Sequence, residues 1–170
     1  IHLSAALVPT AIAMAERQGG VGGKEFLTVI ALGADLAARI NAATLNYHGF
    51  DPTLTCGVFG TTAVAGRLIG LDHKQMIDAL GIALNQSSGT FQSNIDGALS
   101  IRLNQGLAAS IGVLSALWAY RGITGVKNVM QGIYGYFHLY SNDQADLTPL
   151  SDGLGQKFYG VETMFKRWPS

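Results

Sequence analysis

The sequence predicts an all-α domain. Three observations lead there. Apolar residues recur at helical spacing across 23–45, and two long stretches rich in Gly and Ala, 56–70 and 106–120, read as closely packed helices. No segment alternates apolar and polar residues as a half-buried strand does. The whole chain, 1–170, is expected to be part of a single helical domain, with an irregular aromatic-rich segment at about 133–160.

Residues 3–17 are rich in Ala, Leu and Ile and run into Gly19-Gly20, a C-terminal stop for a helix. The glycine-rich run Gly19 to Gly23 follows no strand and reads as a helix–helix turn. In the helix over 23–45, Leu27, Ile30, Ala31, Ala34 and Ala38 mark the expected buried stripe. Asp35 and Arg39 lie four apart on another face, a pair worth a few tenths of a kcal/mol on a surface, roughly 0.2–0.5. The segment from Tyr47 to Pro52 breaks the helix, because Pro52 disfavours helical geometry at Asp51. Each glycine inside the helix from Cys56 to Gly70 costs about 1 kcal/mol against alanine, so close packing against neighbours must offset it. Asp72-His73-Lys74-Gln75 has the form of a capping box. The helix it opens places Met76, Ile77, Leu80 and Leu84 on one side and fades at Asn85 to Gly89. Residues 90–103 read as an irregular, partly polar loop, Gly106 to Tyr120 as a helix ended by Arg121-Gly122, and 126–131 as a short helix.

Composition narrows the function classes. Eleven basic and eleven acidic residues give a net charge of +0 with no basic stripe, so nucleic acid is not an expected partner. Charged residues make up only 13% of the chain against 48% apolar, which points to surface covered by something outside this sequence. Mean hydropathy is +0.26, yet the longest uncharged run, between Arg102 and Arg121, carries Asn104, Gln105, Ser110 and Ser115. It reads as a buried helix, and no membrane association is expected. Cys56 is the only cysteine, so no internal disulfide is possible and a reducing, cytoplasmic location is expected.

The histidines at 2, 48, 73 and 138 lack metal-ligand spacing, so no metal site is expected. His73 reads as surface, His138 as packed among aromatics, and His48 as a candidate for lining a pocket. The loop Gln92 to Gly97 is polar between apolar helices, the setting in which loops line clefts. Arg102 follows it and offers a guanidinium fork suited to a carboxylate.

Several stretches together resemble the MmgE/PrpD family. They are His2-Leu3-Ser4-Ala5-Ala6-Leu7-Val8-Pro9, Gly49-Phe50-Asp51-Pro52-Thr53-Leu54-Thr55-Cys56-Gly57, Gln86-Ser87-Ser88-Gly89, Asp96-Gly97-Ala98, Arg102-Leu103-Asn104-Gln105-Gly106, Arg121-Gly122-Ile123-Thr124-Gly125 and Phe165-Lys166-Arg167-Trp168-Pro169. Their order and spacing extend along the whole chain. The resemblance implies the family's helical domain, with further helices expected before His2 and a smaller α+β domain expected after the Lys-x-x-Pro motif. It also implies cofactor-free proton removal next to a carboxylate of a small di- or tricarboxylate. That chemistry needs a placed base, and cations or donors for the growing charge. Carried over residue by residue, His2 and Lys166 match family active-site positions. Asp51 stands where many members have histidine, and is expected to act as a replacement base. Ile101 and Asn104 stand at lysine and histidine positions, and Gln105 replaces a proline. The expected catalytic set is therefore His2, Lys166 and Asp51, with Arg102, Asn104 and Gln86 binding substrate. No cofactor is expected, and a homodimer is. Dehydration is the first expectation, epimerisation or isomerisation the next, and a non-catalytic carboxylate binder the third.

Overall fold

The computed structural model describes residues 1–164 and Arg167. Nine α-helices occur among them: α1 (Leu3–Arg17), α2 (Gly23–Ala43), α3 (Pro52–Thr55), α4 (Gly57–Leu68), α5 (His73–Gln86), α6 (Gln92–Ile95), α7 (Leu103–Tyr120), α8 (Tyr136–Ser141) and α9 (Thr148–Ser151). Two 3₁₀ turns, Leu99–Arg102 and Tyr159–Glu162, complete the order. Among the described residues no strand forms, and only two isolated bridges, Thr44 with Ala145 and Phe50 with Thr90, join extended pieces. The domain is all-α.

Local chemistry accounts for the ends of the long helices. Gly19 and Gly20 adopt φ of +78° and +110°, and the Gly20 N–H donates to the Ala15 carbonyl at 2.8 Å, closing α1. Asp72 and Gln75 form the reciprocal capping box of α5: the Gln75 N–H donates to Asp72 Oδ1 at 2.8 Å, and the Asp72 N–H donates to Gln75 Oε1 at 3.0 Å.

The helix α4 is central, with α1, α2, α5 and α7 all packed on it. One side joins a cluster around Leu7, Met14, Val29 and Val64; the other joins Phe59, Ile40, Tyr136 and Tyr140. Its glycines let neighbours approach. A Cβ on Gly60 would lie 2.6 Å from the Gly33 carbonyl oxygen of α2, and one on Gly112 of α7 would lie 2.2 Å from Thr61 Oγ1. Gly60→Ala should therefore destabilise, although alanine gains about 1 kcal/mol of helix propensity. Overpacking against backbone costs about 1–3 kcal/mol, and here the backbone of α2 is what must move. Gly106→Ala, where nothing lies within 4 Å, should instead stabilise α7. Urea midpoints of the two variants should move in opposite directions.

Several sequence expectations need correction. The buried face of α2 is Val29, Gly33, Ala37, Ile40 and Ala43, whereas Leu27 is 68% exposed and Ala31 is also exposed. Small residues win that face because α4 crosses it closely. The helix is long and apolar enough to cross a membrane, but its Asp35 and Arg39 are buried in this fold. In α5 the buried residues include Ala79, Gly81, Ile82 and Ala83, with Met76, Ile77 and Leu80 only partly covered. The helix α7 is likewise buried on one side only. Asn104, Ala108, Gly112, Ser115, Ala116 and Ala119 face inward, and Leu103, Leu107, Leu114 and Trp118 face outward.

The stretch 126–131 forms turns, not a helix. It is tied across α5 by Asp78, whose carboxylate accepts from the Gly125 N–H at 2.9 Å and from Lys127 Nζ. The Lys127 bond, then the Gly125 bond, hold the Asp78 carboxyl below its ordinary pKa. The aromatic segment is packed only in part, with Tyr134 and Phe158 exposed, and it contains α8 and α9. Tyr136 and Tyr140 are buried, and Phe50 meets Tyr140 edge-on at 4.8 Å.

The largest departure is the Asp35–Arg39 pair. Its geometry is 2.6 Å between Nε and Oδ2, and Arg39 is 2% exposed. The guanidinium also donates to the carbonyls of Pro149 (2.7 Å), Asp152 (2.8 Å) and Lys157 (2.5 Å). Asp35 accepts the Tyr159 N–H at 2.7 Å, and the Tyr159 ring centroid lies 4.8 Å from Arg39 Cζ. The pair is thus a buried clamp that holds 149–159 against α2.

Candidate active site

The start of α1, the turn before α3 and the segment 91–105 enclose a cleft of about 900 Å³. This is at the upper end of small-molecule sites, which run to about 1,000 Å³. Its polar lining includes His2, Asp51, Thr53, Asn94, Arg102 and Gln105.

Two of the walls, the turn before α3 and the segment that starts at Phe91, are locked to each other by backbone. The Asp51 N–H donates to the Gly89 carbonyl at 2.9 Å, and the Phe91 N–H to the Gly49 carbonyl at 2.7 Å. Asp51 is the N-cap of α3, with Pro52 at its first turn. Proline suits that place because its fixed φ is helical and its missing N–H would have had no partner. Asp51 Oδ1 accepts the Thr53 N–H at 2.8 Å, and Oδ2 accepts Asn104 Nδ2 of α7 at 2.8 Å. Both groups are buried, Asp51 at 3% exposure and Asn104 at 8%. His2 sits at the N-cap of α1 with its ring Nδ1 3.2 Å from Thr53 Oγ1. Arg102 ends the 3₁₀ turn before α7; its side chain is exposed and has no acidic partner among the described residues.

Of the residues expected from sequence, His2, Asp51 and Arg102 come together on this cleft. Asn104 does not line it. Its amide is engaged behind Asp51, so its direct contact is with the carboxylate. Asp51, expected as a replacement base, has each of its oxygens accepting a hydrogen bond that organises the wall. Gln86 is elsewhere, half-buried at the end of α5, with its amide donating to Ser115 Oγ at 3.4 Å. Lys166 lies outside the described residues. His48 is exposed beside Asn46 and does not line the cleft. His138 is 44% exposed and pairs with Asp143 at 2.9 Å, so it is not the packed histidine expected from its aromatic neighbours.

The polar loop was a sound pointer, since Ser93, Asn94 and Gly97 line the cleft. Thr53 was missed. Its signal was the Asp-Pro-Thr order, which reads as N-cap, N1 and N2 of a helix and so places residue 53 beside the capping carboxylate. Cys56 does not take part: it is fully buried, and burial pushes its thiol pKa up, the reverse of an activated nucleophile. No group of three or more His, Cys, Asp or Glu that could hold a metal ion occurs among the described residues.

The Asp51 clasp makes a direct prediction. Asp51→Ala removes the cap, worth about 0.5–2 kcal/mol, and leaves the buried Asn104 amide without its acceptor, at about 1–3 kcal/mol. Asp51→Asn should cost about 1 kcal/mol or less, because an amide oxygen still caps α3 and Asn104 can turn its own amide. Melting temperatures of the two variants should rank accordingly.

Comparison with known proteins places this arrangement. Residues 1–148 match the MmgE/PrpD N-terminal domain. The chain belongs to the MmgE/PrpD family. The polar residues that line the cleft all fall inside the matched range. Among curated MmgE/PrpD relatives, cis-aconitate decarboxylase of Aspergillus terreus (strain NIH 2624 / FGSC A1156) is 31% identical over 145 residues, covering 81% of this chain and 29% of that protein. A cis-aconitate decarboxylase-like protein of Aspergillus oryzae is 30% identical over 147 residues, 81% of this chain and 30% of that protein. Cis-aconitate decarboxylase of Homo sapiens is 24% identical over 176 aligned positions, 99% of this chain and 36% of that protein. The chain thus spans about a third of the length of these relatives.

Proposed function

We propose that this chain forms one wall of the active site of a cofactor-independent lyase acting on a small di- or tricarboxylate. The observation that carries the reading is the placement of His2 and Arg102 on one cleft, within a chain of this family. Arg102 supplies a permanent cation whose paired donors suit a carboxylate. His2 supplies a group able to take and return a proton near neutral pH. Proton transfer at a carbon beside a carboxylate builds negative charge on that carboxylate, and a cation held against it lowers the barrier. Lys166 is proposed as a second group of this kind.

Dehydration is the reaction assigned first: removal of the proton beside the carboxylate, then loss of hydroxide from the neighbouring carbon. A second reading, decarboxylation, is favoured by what the relatives are named. There the carbon that loses carbon dioxide must gain a proton, so the same imidazole serves as acid. Asp51 and Asn104 act in both readings as positioning residues.

The test is carbon–hydrogen exchange. The whole protein is incubated in deuterium oxide with a panel of small di- and tricarboxylates and followed by proton NMR. Deuterium entering at a carbon beside a carboxylate, with loss of water or carbon dioxide, is the expected result. Binding of the acids with no exchange and no product from any of them would sink the lyase reading and leave a carboxylate-binding protein.

A further inference from the structure

We propose that Thr53 is a positioning residue for His2, holding the imidazole through Nδ1 so that proton exchange with the substrate runs through Nε2. This rests on the reading of His2 as the proton-transfer group.

The first observation is where the Thr53 hydroxyl points. Thr10, Thr28, Thr44, Thr55 and Thr62 all donate their hydroxyls to the carbonyl four residues earlier. That is the ordinary local fate of a helical threonine. Thr53 is the second residue of α3, and the carbonyl four residues earlier, of Gly49, lies outside the helix and accepts the Phe91 N–H. Thr53 Oγ1 meets His2 Nδ1 at 3.2 Å, across 51 positions of sequence.

The second observation is how firmly Thr53 is held. It is 4% exposed, and its β-branched side chain has few χ1 choices. Its N–H is donated to Asp51 Oδ1, and Asp51 is gripped in turn by Asn104 of α7 and by the Gly89 carbonyl. A continuous set of hydrogen bonds therefore runs from α7 and the turn after α5 to the imidazole. His2 itself precedes the first turn of α1 and makes no capping bond with its side chain. A contact from a rigid element helps to set the orientation of such a ring.

The third observation is chemical. A hydroxyl oxygen can accept a hydrogen bond, so it suits an Nδ1 that keeps its proton while Nε2 gains and loses one. Such a partner fixes the ring in space without tying it to one charge state, as a group that takes and returns a proton requires.

The experiment uses the whole protein with Thr53→Val and Thr53→Ser. Valine keeps the branched shape and removes the hydroxyl; serine restores it. Ring nitrogens of His2 are followed by ¹⁵N NMR across a pH titration, alongside turnover of the carboxylate found by the exchange assay. Thr53→Val is expected to keep the melting temperature, to shift the His2 Nδ1 resonance and to move the pH limb of kcat. The kcat itself should fall about 10- to 100-fold with KM nearly unchanged. Thr53→Ser should recover most of the loss. Unchanged His2 resonances and an unchanged pH limb in Thr53→Val would overturn the proposal, as would a loss that serine fails to recover. If the resonances move as expected but the unaltered protein turns over no carboxylate, the Thr53 contact stands and the lyase reading is what fails.

Discussion

Arg39→Leu is expected to lower stability by about 3–5 kcal/mol, because it removes one partner of a buried ion pair and leaves the other charge in place. Asp35 would keep only the Tyr159 N–H, and three carbonyls, of Pro149, Asp152 and Lys157, would lose their donor. Arg39→Lys should rescue little. A single ammonium cannot reproduce a planar fork that serves one carboxylate and three carbonyls at once. The double change Asp35→Leu with Arg39→Leu should recover part of the loss, since no unmatched charge then stays buried. Hydrogen exchange offers the spatial readout. The Tyr159 amide should lose protection in every Arg39 variant, whereas amides inside α4 should lose it only as global stability falls. A loss below about 1 kcal/mol would put the pair in the surface class and contradict the clamp.

His2→Gln should lower turnover by about 10²- to 10⁴-fold, the usual range for removing a general acid or base. Glutamine keeps hydrogen-bonding capacity and approximate size but cannot cycle a proton. His2 is exposed at the start of α1, so the melting temperature should hardly move. Steady-state kinetics on the whole protein separate the roles. A fall in kcat and in kcat/KM together marks an interaction made in the transition state, and a rise in KM alone would mark His2 as a binding group only. Loss of deuterium exchange should match the loss of turnover.

The sequence carried the local features well, for a clear reason. The capping box at Asp72 and Gln75, the glycine stop after α1 and the end of α7 at Arg121-Gly122 involve residues within a few positions of each other. Short-range chemistry of that kind is written in order along the chain. The buried stripes of α2 and α7 were misread for an equally clear reason. Patterning by size favours Leu and Ile, but helices that cross at the separation of Gly33 and Gly60 must bury their small residues and turn larger ones outward. Close packing around α4 was legible in its glycines; which face each partner would present was not.

The site divides along the same line. Sequence alone determined an all-α chain of the MmgE/PrpD family, with His2, Asp51 and Arg102 worth watching and a polar loop at 92–97 that would border a cleft. Tertiary structure alone decided what those residues do to one another. It set Asp51 as a cap clasped by Asn104, 53 positions away, put Thr53 against His2, and turned Asp35–Arg39 from a helical neighbour pair into a buried clamp on a segment more than 100 positions distant. Such pairings depend on which helices approach which, and that is decided by the summed packing of small residues around α4, a quantity no local stretch of sequence contains.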